Sequence, residues 1–344
     1  MKEKFNFAVV GCGNIGKRHC SILKNMQEAE LVAVYDAVKE RADNFAQEFN
    51  VKAYYDYAEL LANNEIDFVN ICVPSGLHAE QCIKAAAAGK HIICEKPMAL
   101  SVEDCDKMIE AAAKNNVKIF VVKQNRYNEP VQKLKEAIDK GKMGKIYLLT
   151  ANILWNRNEE YYKEASWRGT QALDGGALMN QSSHFVDLLN WLGGNVKSVY
   201  AKMDTISHDI ETDDTGIVIL KFENGSLGNI IYTTCVYDKN MEGSITILGT
   251  KGTVKIGGQY LNKIEHWNVE GIPKPEIVEQ INPNLYSGGY QGSAASHDKF
   301  FQNVIDVMKG KTNSTVIGSD GKKAVEIILA AKKSAETRQE VFLR

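Results

Sequence analysis

Phe7-Ala8-Val9-Val10-Gly11-Cys12-Gly13-Asn14-Ile15-Gly16 decides the fold of this chain. An unbroken apolar run ends on a glycine, and the pattern G-x-G-x-x-G opens a helical stretch directly behind it. A run that is apolar at every position suits a strand buried on both faces, the habit of parallel sheets. Gly11 permits a tight turn, Gly13 lets the backbone approach a pyrophosphate, and Gly16 allows the helix to pack closely on the strand. The N–H groups of Asn14, Ile15 and Gly16 then start a helix and face an anion. A second apolar run ends at Asp36, 20 residues past Gly16, where a carboxylate can bond a ribose 2′-hydroxyl. The same carboxylate would repel a 2′-phosphate, and the next residue is Ala37 rather than arginine. NAD is therefore expected in preference to NADP.

Working outward, further apolar runs at 31–35, 68–73, 92–94 and 119–122 alternate with helical patterns at 38–49, 77–88 and 102–115. Strand–helix repetition implies right-handed crossovers and a doubly wound parallel sheet. Two loops follow strand ends, where ligands collect in such sheets: Val73-Pro74-Ser75-Gly76-Leu77-His78 and Cys94-Glu95-Lys96-Pro97. Pro74, Ser75, Glu95, Lys96 and Pro97 are cofactor-side candidates. His78 either touches the cofactor or sits within the helix that follows.

After Val122 the pattern changes. One more helix is expected at 130–140, then longer alternating strands at 146–155, 198–206, 217–222, 227–234, 244–248 and 253–256. Asn224-Gly225 between two of them is a hairpin signal. A last amphipathic helix is expected over 321–338. The expected architecture is thus an N-terminal Rossmann-type domain over 1–124, followed by a C-terminal α/β domain over 125–344 with a mostly antiparallel open sheet.

The chain of 344 residues fits two domains at roughly 100–200 residues each. A formal net charge of −2 offers no basic excess to neutralise a nucleic-acid backbone. No stretch is long and apolar enough for a membrane span or a signal-peptide core, so a cytoplasmic protein is expected. Seven cysteines form no even framework and no Cys-x-x-Cys pair, so they read as buried small hydrophobes rather than disulfides or metal ligands.

Glu95-Lys96-Pro97 after a strand, together with the glycine loop, resembles the Gfo/Idh/MocA oxidoreductase family. The Asp174-Gly175-Gly176 turn, the segment carrying His184 and the stretch Gly243 to Gly252 extend the resemblance over essentially the whole chain. It implies NAD- or NADP-dependent oxidation or reduction of carbohydrate carbons, and a homodimer or homotetramer joined through the C-terminal sheets. It makes Lys96 the first catalytic candidate. Oxidising a secondary alcohol needs a base for the hydroxyl proton, and burial with a nearby cation would bring a lysine toward neutral pH. His184 is the second. Helical spacing would place Asn180 and His184 on one face. Many members of the family carry aspartate where this chain has Asn180. Asparagine cannot act as a base, so an Asp–His relay is not expected.

Asn125-Arg126-Tyr127-Asn128, Trp167-Arg168-Gly169-Thr170 and the Asn180-Gln181 pair are similar to one branch of the family. That branch oxidises the C3 hydroxyl of UDP-linked N-acetylamino sugars. The resemblance makes a UDP-sugar the expected substrate, with Asn125, Arg126, Arg157, Trp167, Arg168, Asn180, Gln181 and His184 as candidate contacts beside Lys96. Guanidinium suits carboxylate and diphosphate, and Tyr161, Tyr162 and Trp167 could stack on a base or sugar. Unoxidised UDP-N-acetylglucosamine, a free sugar or inositol, and a non-enzymatic dinucleotide-binding regulator remain open.

Overall fold

Six strands, Phe5–Val10 (β1), Ala29–Tyr35 (β2), Lys52–Tyr54 (β3), Phe68–Ile71 (β4), His91–Cys94 (β5) and Ile119–Val121 (β6), form one sheet. All five pairings are parallel and the order is β3-β2-β1-β4-β5-β6. This is the order of a doubly wound dinucleotide-binding sheet, with its topological switch between β1 and β4. The computed structural model describes residues 2–277, 296–313 and 316–343. Among these, no helix is long and apolar enough to cross a membrane.

The crossovers are Asn14–Asn25 (α1), Lys39–Phe49 (α2), Tyr57–Leu61 (α3), His78–Ala87 (α4) and Val102–Lys114 (α5). The last shows why the pattern is helical. Ser101 accepts from the Asp104 N–H at 3.0 Å, acids fill the first turn, and Lys114 stands at the far end. The short strand β3 was not expected, because three residues give no period to read.

The chain divides into two compact units. The first is Met1–Val122 together with His297–Lys322; the second is Lys123–Ser296 with Lys323–Arg344. The expected linear division at 124/125 contains no such return. Its cause is the apolar face of a late helix, His297–Met308, on which Phe300, Phe301, Val304 and Ile305 are buried. Phe301 packs edge-on against Phe7 of β1 and against His19 of α1.

The second unit is built on a sheet of Ile146–Leu154 (β7), Val196–Asp204 (β8), Thr215–Phe222 (β9), Leu227–Thr233 (β10), Glu242–Gly249 (β11), Gly252–Gly257 (β12), Lys263–Val269 (β13) and Val341–Phe342 (β14). Its order is β13-β12-β11-β7-β10-β9-β8-β14, antiparallel except where β7 meets β10. Glu129–Asp139 (α6) and Glu159–Lys163 (α7) precede the helix Ser183–Gly193 (α8), which lies against β7 and β10. Phe185, Leu188, Leu189 and Leu192 bury its inner side, each worth roughly 1.5–3 kcal/mol. The late helix named above is α9, and the final helix, Gly318–Thr337 (α10), starts three residues before the expected 321–338 and ends one residue short of it. All seven cysteines are free thiols, and six are buried.

The turn after β1 shows how little room the fold leaves. Gly11 has φ +101°, and a Cβ there would meet the Cys72 carbonyl oxygen at 2.6 Å. The Gly11→Ala variant therefore combines a disfavoured backbone with a clash against main chain. It should lose about 2–4 kcal/mol of stability, read as a lower urea midpoint at unchanged slope.

Candidate functional site

In the first unit the cofactor-side candidates converge on the carboxyl ends of β1, β4 and β5. A Cβ on Gly16 would lie 2.0 Å from the Gly11 carbonyl oxygen, so helix α1 presses onto the turn. At Gly13 a Cβ would meet nothing within 4 Å. That opening, at the start of α1 beside Asn14 and Ile15, fits a diphosphate approaching bare backbone. Asp36 is shaped by the same turn: its Oδ2 accepts from the Cys12 N–H and its Oδ1 from the Val38 N–H, both at 2.8 Å. A carboxylate has roughly four acceptor directions, so hydroxyl donors can still be taken. These residues fit a dinucleotide without rearrangement of the loop.

Pro74 leads into a single 3-10 turn, Ser75–Leu77, which runs straight into α4. His78 does not offer its ring to a ligand. Its Nδ1 lies 2.8 Å from the Pro97 carbonyl oxygen and its Nε2 lies 2.9 Å from that of Val73. Carbonyls only accept, so both ring nitrogens must donate and the ring is an imidazolium. Burial opposes this charge, but neighbouring Cys94 and the two carbonyls outweigh it and hold the pKa up to about 9. His78 is thus a brace between the two loops singled out in the sequence.

Glu95 does not pair with the Lys96 ammonium group. Its Oε1 lies 3.0 Å from His19 Nε2 and 3.7 Å from His297 Nε2, and its Oε2 accepts from the Lys96 backbone N–H at 3.0 Å. Burial pushes this carboxyl up, but His19 and His297 outweigh burial and keep it well below the usual range. Burial conversely drives His297 down to about 4, so its ring is neutral near pH 7. Lys96 is half-buried, and Pro97 follows it through a cis peptide bond.

In the second unit a 3-10 turn, Gln124–Tyr127, holds three buried polar residues. Gln124 Nε2 lies 3.1 Å from Nε2 of His184, the second residue of α8. Gln124 was not among the expected residues; its only signal was adjacency to Asn125. Asn125 Oδ1 is buried and finds no hydrogen-bond partner among the described residues, so it remains a candidate contact. Arg126 departs from expectation. Its Nε and a terminal nitrogen grip Asp187 at 2.8 Å each, rather than presenting the fork to a ligand. A guanidinium this buried needs a carboxylate, and Asp187 on α8 supplies it.

Asn180 also departs from expectation, because it precedes α8 rather than sharing a helical face with His184. Its amide donates to Asp174 Oδ1, while Asp174 Oδ2 accepts from the Gly169 N–H at 2.8 Å. Arg157, Arg168 and Gln181 do come together, around Tyr161. The two guanidinium carbons lie 5.4 and 4.0 Å from its ring centroid, and the Gln181 amide donates to its hydroxyl at 3.2 Å. Trp167 lies half-buried, 5.8 Å from the Arg168 guanidinium.

Among the described residues, two groups of side chains are close enough to suggest a metal: His19, Glu95 and His297, and His208, Asp214 and Cys235. In the second, Asp214 Oδ2 already accepts from the N–H groups of Ser207 and His208 and lies 3.1 Å from the His208 ring. Hydrogen bonding explains it fully.

A nucleotide loop at a parallel switch point, with a lysine at the end of the next strand, defines a dinucleotide-dependent oxidoreductase. Residues 5–123 match the NAD-binding Rossmann fold of the Gfo/Idh/MocA oxidoreductases, and residues 131–255 match the C-terminal domain of that group. The chain belongs to the Gfo/Idh/MocA family and binds NAD. It is 30% identical to the myo-inositol 2-dehydrogenase of Thermotoga maritima, over 97% of each chain. The WlbA dehydrogenase of Bordetella pertussis, solved with NADH and UDP-GlcNAcA, is 38% identical with TM-score 0.89, over 99% of each chain. That of Chromobacterium violaceum, solved with the same pair, is 40% identical with TM-score 0.90, over 99% of this chain and 96% of its own.

The two histidines set the pH dependence of stability with opposite signs. His297 is depressed below its unfolded value of about 6.5, so stability falls as pH drops from there toward 4. His78 is raised, so its contribution is full below about 6.5 and is lost as pH rises through 9. Each limb should be worth on the order of 3 kcal/mol. Urea titrations across pH 4–9 should show His297→Gln flattening the acid limb and His78→Gln the alkaline one.

Proposed function

We propose that the protein is a UDP-N-acetyl-2-amino-2-deoxyglucuronate 3-dehydrogenase. It would oxidise the C3 hydroxyl of UDP-N-acetylglucosaminuronate to the 3-keto sugar nucleotide. The observation that carries this reading is the likeness, at 38% and 40% identity over almost the full chain, to two WlbA dehydrogenases solved with that sugar nucleotide. An identity of 30% to a myo-inositol dehydrogenase favours a cyclitol as the second reading.

In the proposed reaction, NAD held at the Gly11–Gly16 turn and by Asp36 would supply the acceptor for the C3 hydride. Lys96 takes the proton of the 3-hydroxyl, so that a C–H and an O–H bond break while the carbonyl forms. His184 is the second catalytic candidate, its ring held by Gln124 and its helix α8 anchored by the Arg126–Asp187 pair. Lys96→Ala should lower kcat by about 100-fold or more. The Tyr161 cluster supports a substrate role: Arg157, bonded to Asn240, and Arg168, paired with Glu164, both lie against this ring, and guanidinium is a charge type suited to a diphosphate or a uronate. The product, a 3-keto sugar, has the chemistry an aminotransferase needs to install a nitrogen at C3.

The assay is NADH formation with UDP-N-acetylglucosaminuronate, UDP-N-acetylglucosamine, myo-inositol and glucose, each with and without 2-oxoglutarate. Turnover of the uronate alone is expected. Turnover of inositol without any UDP-sugar would establish the second reading instead.

We also propose a homo-oligomer, a dimer or tetramer, joined through the second sheet. Ile217 and Ile219 of β9 and Leu227 and Ile231 of β10 lie on one face, with Ile217 opposite Ile231, and are 37–51% exposed. An exposed apolar band of this kind marks an association surface. Sedimentation should show an oligomer, and the Ile217→Lys/Ile231→Lys double variant should sediment as a monomer. A monomeric parent would refute this part.

A further inference from the structure

Behind Lys96 lies a row of buried polar side chains that hydride transfer does not itself require. Cys72 at the end of β4, His19 on α1, Glu95 after β5 and His297 on α9 are 7%, 0%, 5% and 2% exposed. Their contacts have a direction. Cys72 Sγ is 3.3 Å from His19 Nδ1, and His19 Nε2 is 3.0 Å from Glu95 Oε1. The Glu95 carboxylate can only accept, so the His19 proton sits on Nε2 and that N–H donates to Oε1, leaving Nδ1 as the acceptor. Burial, with the Glu95 charge behind it, pushes the Cys72 thiol far up, so this sulfur keeps the proton it donates to Nδ1. The second carboxylate oxygen then takes the Lys96 backbone N–H.

We propose that Cys72, His19 and Glu95 form a one-way hydrogen-bond chain that positions Lys96, with His297 closing its open side. None of the four touches the reacting atoms; they are positioning residues. This inference rests on the reading of Lys96 as the base. Two further observations give the chain its purpose. The Cys72 carbonyl is the oxygen a Gly11 Cβ would strike, so one residue borders the dinucleotide turn and starts the chain that ends at Lys96. The Cys94 thiol donates to the Glu95 carbonyl oxygen at 3.3 Å, fixing the carboxylate from its own backbone as well. A buried carboxylate with every partner in place holds one geometry, whereas loss of one donor leaves an unpaired charge.

The test uses the full-length enzyme with NAD bound. Long-range nitrogen–proton NMR of the histidine rings should show His19 protonated at Nε2 only. A proton on Nδ1, or on both nitrogens, would overturn the chain. Metal analysis should find no stoichiometric ion; one bound by His19, Glu95 and His297 would overturn it too.

In turnover, Glu95→Gln should lower kcat about 10- to 100-fold while KM for the sugar nucleotide and the NADH Kd move by less than about threefold. In a Lys96→Ala background the same change should cost nothing further, because both act through one group. Cys72→Ala, which removes only the terminal donor, should cost about threefold in kcat and mix the His19 tautomers. It carries the test if Glu95→Gln fails to fold. A fully active Lys96→Ala enzyme would overturn the functional reading. An impaired Lys96→Ala beside a normal Glu95→Gln would overturn the chain alone.

Discussion

A carboxylate taken out of water must be met by donors on every side, and at Glu95 that requirement organises much of the first unit. One oxygen is held by a ring from α1 and the other by the amide of the next residue. The imidazole of α9 lies 3.7 Å from the first of these oxygens. The strand end, the glycine-turn helix and the late helix are thereby tied to one charge. His78 provides the complementary constraint on the other side of the same loop. A buried cation bridges two carbonyls, that of Val73 after β4 and that of Pro97 after β5. Lys96 sits between a fixed anion and a fixed cation, so its backbone has few alternatives.

The second unit solves a similar problem with a different pair. Arg126 lies in the turn after Lys123, and Asp187 lies on the second turn of α8; their bidentate contact fixes where His184 points. Lys123, 1% exposed, approaches the same carboxylate at 4.0 Å. Two cations around one buried anion make this an expensive arrangement to disturb. That explains why a guanidinium next to candidate substrate residues is internal.

Much of this was legible before any coordinates. The run from Phe7 to Gly16 and the spacing to Asp36 carry the parallel sheet and its cofactor, because a period of full burial and three glycines have few other solutions. The loops holding His78 and Lys96 were found because strand ends can be read. Their roles were not equally readable. Only the distances to Val73 and Pro97 show that His78 is a brace, and only the start of α8 at Ser183 shows that Asn180 lies outside it. Gln124, His19 and His297 were silent in sequence. Each is defined by a partner between 60 and 202 positions away, and no local pattern records such pairings. Arg126 misled because charge type predicts what a side chain can bind, not which carboxylate reaches it first.

The return of α9 has a consequence for synthesis. The ribosome releases β1 through β6 early, yet Phe301, the ring that Phe7 and His19 share, emerges only after almost all of the second unit. Closing so long a loop adds little to the equilibrium cost, since that cost grows only with the logarithm of length. It delays the event, however. A nascent first unit must wait with an apolar flank uncovered, the condition in which chains stick to one another or to a chaperone. The surroundings of Glu95 are thus completed by a segment made after almost all of the second unit, and a chain interrupted before His297 would carry the nucleotide turn without the imidazole that borders its buried charge.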